Sequence, residues 1–313
     1  MKNETEKIRG LLLVEWAVVA YTLFTLVLMA FYWPQLEDPA SMLTLRAGAM
    51  GLLLALWALY RLRPCKLTHF LRPAGQMSLL GIWYPDTYEL NRILPNLDHV
   101  FASLEQTLFG GQPAISFSAH CTSPWFSELL SLAYVSYFPL IAIVVVYYFF
   151  CVYRQFDHTV FVIMASFFLF YVVFIFLPVT GPQYYYQAIG LDAARQGVFP
   201  DVADYFRTHH DALPIPGWDK GLFHYLVAAA HTAGERPTAA FPSSHIGITT
   251  ILVILAWKTR CAPLFYGILV MLILMFFATF YLQAHYLIDA IAGIPAGIII
   301  YLVSHRLARA LGD

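Results

Sequence analysis

The chain has 313 residues, of which 60% are hydrophobic and only 12% are charged, and its formal net charge is −1. With a mean hydropathy of +0.65, this composition excludes an ordinary soluble domain and predicts an integral membrane protein. A nearly neutral chain without a basic stripe also excludes a nucleic-acid partner.

Seven apolar runs predict membrane-crossing helices, because crossing the hydrocarbon core takes about 20 helical residues. In chain order they lie near residues 11–33, 42–60, 127–151, 159–178, 245–258, 262–283 and 286–303. The first run lacks a following cleavage site and is expected to be retained. The predicted fold is therefore an all-α polytopic bundle with about six to eight transmembrane helices.

We divide the chain into an N-terminal part, a central bundle and a tail. Residues 1–126 are expected to hold membrane helices and an interfacial segment, and residues 127–303 a catalytic bundle with an outer loop at 179–244. Residues 304–313 are expected to form a short cytoplasmic tail.

Charge predicts the orientation of the chain. Basic residues cluster in the connections at 61–72 and 258–260 and in the tail, so the positive-inside rule places these on the cytoplasmic face. The polar loop 179–244 then lies outside. Forty residues separate His245 from His285, which is enough for two crossings, so both histidines are expected at the same extracytoplasmic face.

The stretch 73–126 contains no clean span, although parity requires another crossing there if 61–72 and Arg154 are both cytoplasmic. Either a short helix near 76–84 crosses, or the single charge of Arg154 is misleading. Apolar residues at helical spacing predict an interfacial amphipathic helix around 97–109.

Two polar islands stand out in this hydrophobic chain. His285 and Asp289 are four residues apart at the start of a predicted helix, so both project from one face and the carboxylate can accept an imidazole proton. Such a pair is costly at a membrane-helix end unless it has a function. The alternative is an N-terminal helix charge beside an interfacial histidine.

The second island is Pro242-Ser-Ser-His245, in which Ser243 or Ser244 is predicted to cap the next helix. The N–H groups of a first helical turn form an anion site, so a phosphate held there would lie beside His245. A capped helix with an incidental histidine is the alternative. Both islands at one face together favour phosphoryl transfer through histidine.

With Phe241-Pro-Ser-Ser-His245 and His285-Tyr-Leu-Ile-Asp289, the chain resembles the type 2 phosphatidic acid phosphatase superfamily over about residues 127–303. The resemblance implies that His285 is the nucleophile and forms a phosphohistidine, that Asp289 orients it, and that His245 is the general acid. It also implies a metal-independent reaction on a lipid phosphate, so no metal or cofactor is expected.

The chain departs from the phosphatase pattern at its basic residues. It has Ala278-Thr279 where such enzymes have Ser-Arg, and Lys66 with Arg72 is one residue short of the Lys-x6-Arg-Pro spacing and is predicted on the wrong face. These departures make the chain more similar to the inositol phosphorylceramide synthase and sphingomyelin synthase branch, as does the proline- and tyrosine-rich segment 177–186.

Other donors must then hold the phosphate. The candidates are Arg236, Lys220, Gln183, Tyr184, Ser243 and Ser244. Arg236 is preferred because it lies nine residues before His245 and a guanidinium can bind phosphate with two N–H groups. A solvated arginine paired with Glu235 is the alternative.

The outer loop contains further polar and aromatic residues. Histidines without tight ligand spacing are expected to be solvent-exposed and to bind no metal; they are His209, His210, His224 and His231. Tyr184, Tyr185 and Tyr186 are predicted to be interfacial aromatics, with headgroup contact as the alternative.

The leading hypothesis is a membrane lipid phosphatase, in which water resolves a phospho-His285 intermediate. Transfer of a phospho-headgroup to a lipid alcohol such as a ceramide is an alternative, because the same intermediate serves both. A non-catalytic lipid carrier is a third, for which only Glu15 and Arg46 are unusually deep charges. The compact connections suit a bacterial inner membrane with the site facing the periplasm.

Overall fold

The computed structural model describes residues 10–234 and 236–312, and this part of the chain is helical without any strand. The all-α prediction is confirmed. In chain order the α-helices are α1 (Leu13–Tyr32), α2 (Pro39–Leu62), α3 (Lys66–Ser78), α4 (Leu80–Asn91), α5 (Asp98–Phe109), α6 (Pro113–His120), α7 (Pro124–Val135), α8 (Tyr137–Cys151), α9 (Phe156–Phe176), α10 (Pro182–Ile189), α11 (Leu191–Arg195), α12 (Leu222–Gly234), α13 (Ser244–Lys258), α14 (Ala262–Tyr281) and α15 (Leu287–Gly312).

Each of the seven predicted spans coincides with helix in the described residues. Five helices are each long and apolar enough to cross a membrane: α1, α2, α9, α14 and α15. Helices α7 and α8 together form a sixth candidate span, which is bent by 51°. Helix α13 is apolar but shorter. Helix α15 continues to Gly312, so residues 304–312 extend the last span as helix.

Helices α3 and α4 together connect the two ends of the bundle. In α3, His69 Nδ1 lies 2.6 Å from the Tyr153 hydroxyl, just before α9. At the far end of α4, the Tyr88 hydroxyl donates to the Phe206 carbonyl at 2.5 Å, in the outer loop. Two short helices, and not one helix near 76–84, therefore connect the two ends of the bundle in this stretch.

Charged pairs explain why this connection is not apolar. The Arg46 guanidinium donates to both carboxylate oxygens of Asp86 at 2.9 Å. Arg72 donates to both carboxylate oxygens of Glu15, and neither side chain is exposed. The deep charges Glu15 and Arg46 are thus partners in two structural ion pairs, so they do not support a carrier.

Helix α5 confirms the amphipathic helix predicted near 97–109. Val100, Leu104 and Leu108 are each about half exposed, whereas Asp98 and Glu105 on the opposite face are fully buried. A helix with an exposed apolar face and a polar face against the protein suits a position against lipid.

Helix α13 lies at the centre of the bundle and packs against α8, α9, α14 and α15. A Cβ atom on Gly297 would lie 2.5 Å from the Gly247 carbonyl oxygen, and one on Gly293 would lie 2.8 Å from the Ser243 carbonyl oxygen. Small residues four apart thus let the α13 and α15 backbones touch. Because His245 and Asp289 lie in the first turns of α13 and α15, this contact brings the two polar islands together.

Candidate active site

The two histidines meet at one end of the bundle. His245 lies in the first turn of α13, and His285 lies in the short connection between α14 and α15. The Nε2 atom of His285 is 3.4 Å from the Nδ1 atom of His245. The prediction that both lie at the same face is confirmed.

The hydrogen bond of His285 defines its tautomer. Its Nδ1 atom lies 2.8 Å from the Ala240 carbonyl oxygen, which can only accept a hydrogen bond. The Nδ1 atom therefore carries the proton, and Nε2 keeps a lone pair directed toward His245. Nucleophilic attack by Nε2 needs this arrangement.

Asp289 was expected to accept a proton from the His285 imidazole, but it binds the backbone next to that residue instead. Its Oδ2 atom accepts the Tyr286 N–H at 2.8 Å and lies 3.7 Å from His285 Nδ1, which is too long for a hydrogen bond. The carbonyl of Ala240, and not the carboxylate, accepts the imidazole proton in this arrangement. The fully buried carboxylate remains close enough to act electrostatically on the ring.

Two tyrosines hold the ring of His245. The Tyr134 ring stacks on it with centroids 4.6 Å apart, and the Tyr137 ring is tilted against it at 4.4 Å. These tyrosines lie on either side of the bend between α7 and α8 at Ser136. The bend was not predicted for the run 127–151, and Pro139 in the first turn of α8 accounts for it, because a proline cannot donate the helix hydrogen bond across Ser136.

The histidines line a small cavity of about 20 Å³, which is room for about one water molecule. Its walls are formed by Tyr84, Tyr134, Thr180, Gln183, Tyr184, Arg236, Thr238, Ala239, Ser244, His245, Ala284 and His285.

Four of the six phosphate-binding candidates lie in this wall, namely Ser244, Arg236, Gln183 and Tyr184. Ser243 is the predicted N-cap of α13: its hydroxyl accepts the Ile246 N–H at 3.5 Å beneath the cavity. Lys220 is exposed in the outer loop and does not line the cavity.

Thr238 is a cavity residue that sequence reasoning did not identify. Its Oγ1 atom and the Oε1 atom of Gln183 are buried and have no hydrogen-bond partner among the described residues. Buried polar atoms normally have partners, so these two are available to a bound polar group. Thr238 belongs to the segment Thr-Ala-Ala before Phe241, and a single threonine there does not indicate a binding site.

Two predictions for the outer loop are corrected. Tyr184, Tyr185 and Tyr186 are buried, and not interfacial, because this segment folds under the loop as α10. His209 and His210 are exposed as predicted, whereas His224 is buried and His231 is half-buried. The described residues contain no group of three or more histidine, cysteine or acidic residues that could hold a metal ion.

Two buried acidic residues on α5, Asp98 and Glu105, lie behind the histidines and were not predicted as part of the site. Asp98 accepts the Tyr286 hydroxyl at 2.9 Å, and Glu105 accepts the Ile288 N–H at 3.1 Å. Burial raises the pKa of Glu105, and with the nearby Asp289 carboxylate acting in the same direction the pKa reaches about 8. Burial also raises the pKa of Asp98, although hydrogen bonds to its carboxylate oppose this.

The fold and the site define a polytopic helical membrane protein with two adjacent histidines in the wall of a small polar cavity. A family model described as the PAP2 superfamily matches residues 99–303, and the chain belongs to this superfamily of lipid phosphatases and phosphotransferases. The match begins before residue 127 and so includes Glu105. No curated protein and no solved structure shows significant similarity to the chain.

Proposed function

We propose that this protein is a lipid phosphate phosphatase that works through a phosphohistidine on His285. The observation that supports it best is the Nδ1–H···O contact of His285 with Ala240, which leaves Nε2 unprotonated and facing His245.

In the first step, the Nε2 lone pair of His285 attacks phosphorus, a P–N bond forms and the P–O bond to the lipid breaks. The leaving oxygen takes a proton from His245, which acts as general acid. The phosphorylated ring is cationic because Nδ1 keeps its proton. The buried carboxylate of Asp289, 3.7 Å from Nδ1, stabilises that charge.

Arg236, Thr238 and Gln183 are proposed to hold the phosphate oxygens. Arg236 is exposed at the cavity wall, so it can move to admit a headgroup that needs more space than the present cavity has. The Thr238 hydroxyl can donate a hydrogen bond. The Gln183 amide can do so when its nitrogen occupies the present Oε1 position.

In the second step, His245 removes a proton from water, the water oxygen attacks phosphorus and the P–N bond breaks. Phosphate leaves, and both histidines return to their starting states. Water is the acceptor that fits the existing space. A lipid alcohol in its place would give transfer, as the resemblance to the inositol phosphorylceramide synthase branch implies, so the assay must separate the two products.

We propose that the site faces the outside of a bacterial inner membrane. Helix α13 leads from His245 to Lys258, and α15 leads from Asp289 to Arg309, so basic residues lie at the end of the bundle away from the histidines. The positive-inside rule then places the histidines on the extracytoplasmic side.

The test uses detergent-purified protein with labelled phosphatidic acid, with a polyprenyl diphosphate, and with phosphatidylinositol plus ceramide. Free phosphate and new phospholipids are quantified separately. His285→Ala and His245→Ala should each abolish or strongly reduce phosphate release. His209→Ala, an exposed histidine of the outer loop, is the matched control and should leave release unchanged.

An activated phosphate ester separates the two histidine roles. A leaving group that needs no proton should restore much of the loss of about 10²- to 10⁴-fold in His245→Ala, but nothing in His285→Ala. A new phospholipid without free phosphate would replace the phosphatase with a transferase. Turnover that survives His285→Ala would refute the phosphohistidine.

A further inference from the structure

We propose that Asp98 and Glu105 of α5 are positioning residues that hold the segment from His285 to Asp289 for the reaction. This inference rests on the proposed function, because it concerns the same site. The two carboxylates are seven residues apart, so they project from one face of α5 two turns apart. Both are fully buried.

Asp98 joins the cavity wall to the residue next to His285. Its carboxylate accepts the Thr180 N–H at 2.6 Å, the Thr180 hydroxyl at 2.9 Å and the Gly181 N–H at 2.9 Å. It also accepts the Tyr286 hydroxyl at 2.9 Å. One charged group therefore fixes a wall residue of the cavity, Thr180, and the neighbour of the proposed nucleophile.

Gly181 links the backbone that Asp98 binds to the residue just before His285. Its φ is +95°, and a Cβ atom there would lie 2.5 Å from the carbonyl oxygen of Ala284. The backbone that Asp98 binds is thus in direct contact with the residue that precedes His285. A displacement of Thr180 and Gly181 would be transmitted to the ring by packing.

Glu105 holds the other end of the segment. Its Oε2 atom accepts the Ile288 N–H at 3.1 Å, in the first turn of α15. First-turn N–H groups have no partner within their own helix, and the Oε2 atom of Glu105 supplies the missing acceptor for Ile288. With Asp289 accepting the Tyr286 N–H, two carboxylates bind alternate backbone groups of the segment that carries the proposed nucleophile.

Burial of two carboxylates beside a third is costly in free energy. A helix cap at the surface would give the same hydrogen bonds without that cost. The chain contains a cap that is only partly buried: Glu128 accepts the Phe223 and His224 N–H groups at 3.0 and 2.9 Å, at the start of α12. Because α12 carries no proposed catalytic residue, Glu128 is a matched control.

The test compares Glu105→Ala and Asp98→Asn with Glu128→Ala, using the phosphate-release assay and thermal unfolding in detergent. We expect Glu105→Ala and Asp98→Asn to lower kcat by about 10- to 100-fold with KM changed less than about 3-fold, because a shift of about 1 Å at a reacting group has this effect. Glu128→Ala should lower the unfolding temperature similarly and leave kcat nearly unchanged.

Conservative variants cover the case in which Glu105→Ala does not fold. Glu105→Gln keeps an oxygen that can accept the Ile288 N–H, so it should restore most of kcat. Tyr286→Phe removes one hydrogen bond to Asp98 and should lower kcat by a few fold without changing KM.

The outcomes separate this inference from the proposed function. If the unmodified protein has no His285-dependent turnover, the proposed function itself is wrong. If turnover depends on His285 but Asp98→Asn and Glu105→Ala retain full kcat, or lose it only in proportion to folded protein as Glu128→Ala does, the positioning role is refuted.

Discussion

A backbone carbonyl, that of Ala240, accepts the Nδ1 proton of His285 and so selects the nitrogen that faces the cavity. In triads where a carboxylate has this role, replacing it with an amide leaves the imidazole in the wrong tautomer. Here the tautomer of His285 does not depend on Asp289. The effect of the Asp289 charge can therefore be tested without changing which nitrogen of His285 carries the proton.

We therefore expect Asp289→Asn to keep the Tyr286 N–H bond and the tautomer of His285, but to lose the charge that stabilises the phosphorylated ring. The loss in kcat should be about 10²-fold, comparable to removing one electrostatic contact in a transition state. Single-turnover rates of phosphate release would measure it. A loss as large as that of His285→Ala would show that the carboxylate, after all, sets the tautomer.

Glu105 should make the stability of the protein depend on pH. Its pKa is raised in the folded protein to about 8 by burial and by Asp289, above the ordinary value of a glutamate, so folding favours its protonated form. Its stabilising contribution is complete below about pH 4.5 and is lost progressively as the pH rises through 8, by up to roughly 5 kcal/mol.

The measurement is the thermal unfolding midpoint in detergent across this pH range. Glu105→Gln cannot ionise and should flatten the decline between about pH 5 and 8, leaving the contributions of Asp98, Asp289 and Tyr186, which surround it. An equally steep decline in Glu105→Gln would assign the pH dependence to those neighbours.

At the scale of the elements, glycines determine how closely α13 approaches α15. A Cβ atom on Gly297 would meet the Gly247 carbonyl oxygen at 2.5 Å, and backbone atoms cannot rotate away as a side chain can. Gly297→Val should therefore push the two helices apart and separate His245 from His285.

The expected result for Gly297→Val is a fall in kcat of at least about 10²-fold, because the two histidines act on the same phosphorus and a misplacement of about 1 Å has that effect. Gly267→Ala on α14 is the control, since its Cβ would have no neighbour within 4 Å. The control should retain full activity. Full activity in Gly297→Val would mean that the helix contact does not set the site.

The bend between α7 and α8 is a second feature of the helices next to the site. Tyr134 and Tyr137 flank Ser136, and both rings lie within 5 Å of the centroid of the His245 imidazole. Hydropathy along 127–151 gives no sign of this bend, but Pro139 does, because a proline cannot donate the helix hydrogen bond across Ser136.

For the whole molecule, buried ion pairs join the first hairpin to the α3–α4 connection. Arg72 of α3 binds Glu15 of α1, and Arg46 of α2 binds Asp86 of α4. Breaking one buried pair leaves an uncompensated charge, so Glu15→Gln should lower the free energy of unfolding by about 3–5 kcal/mol.

The double variant Glu15→Leu/Arg72→Leu removes both charges and should recover most of the loss. Urea or thermal unfolding in detergent measures both, with phosphate release expected to stay normal in the folded fraction, since neither residue lines the cavity. If the double variant were no more stable than Glu15→Gln, the pair would contribute net attraction and not only mutual neutralisation.

The sequence by itself determined the helical membrane fold, the seven apolar runs that are helical and include five or six candidate spans, and the two histidines at one end of the bundle. These follow from local properties: apolar runs have the length of a bilayer, and helices of known rise return the chain to the same side. Ser243 as a cap was predictable for the same reason, because a cap contacts only its own helix.

Only the tertiary structure decided what surrounds the histidines. Ala240 supplies a backbone atom that no residue type reveals, and Thr238 reaches the cavity through a loop. Asp98 and Glu105 approach from nearly two hundred residues away along the chain. A sequence pattern records neighbours within a helix or strand, whereas these contacts depend on which faces of distant helices pack together, and that is decided by burial of the whole chain at once.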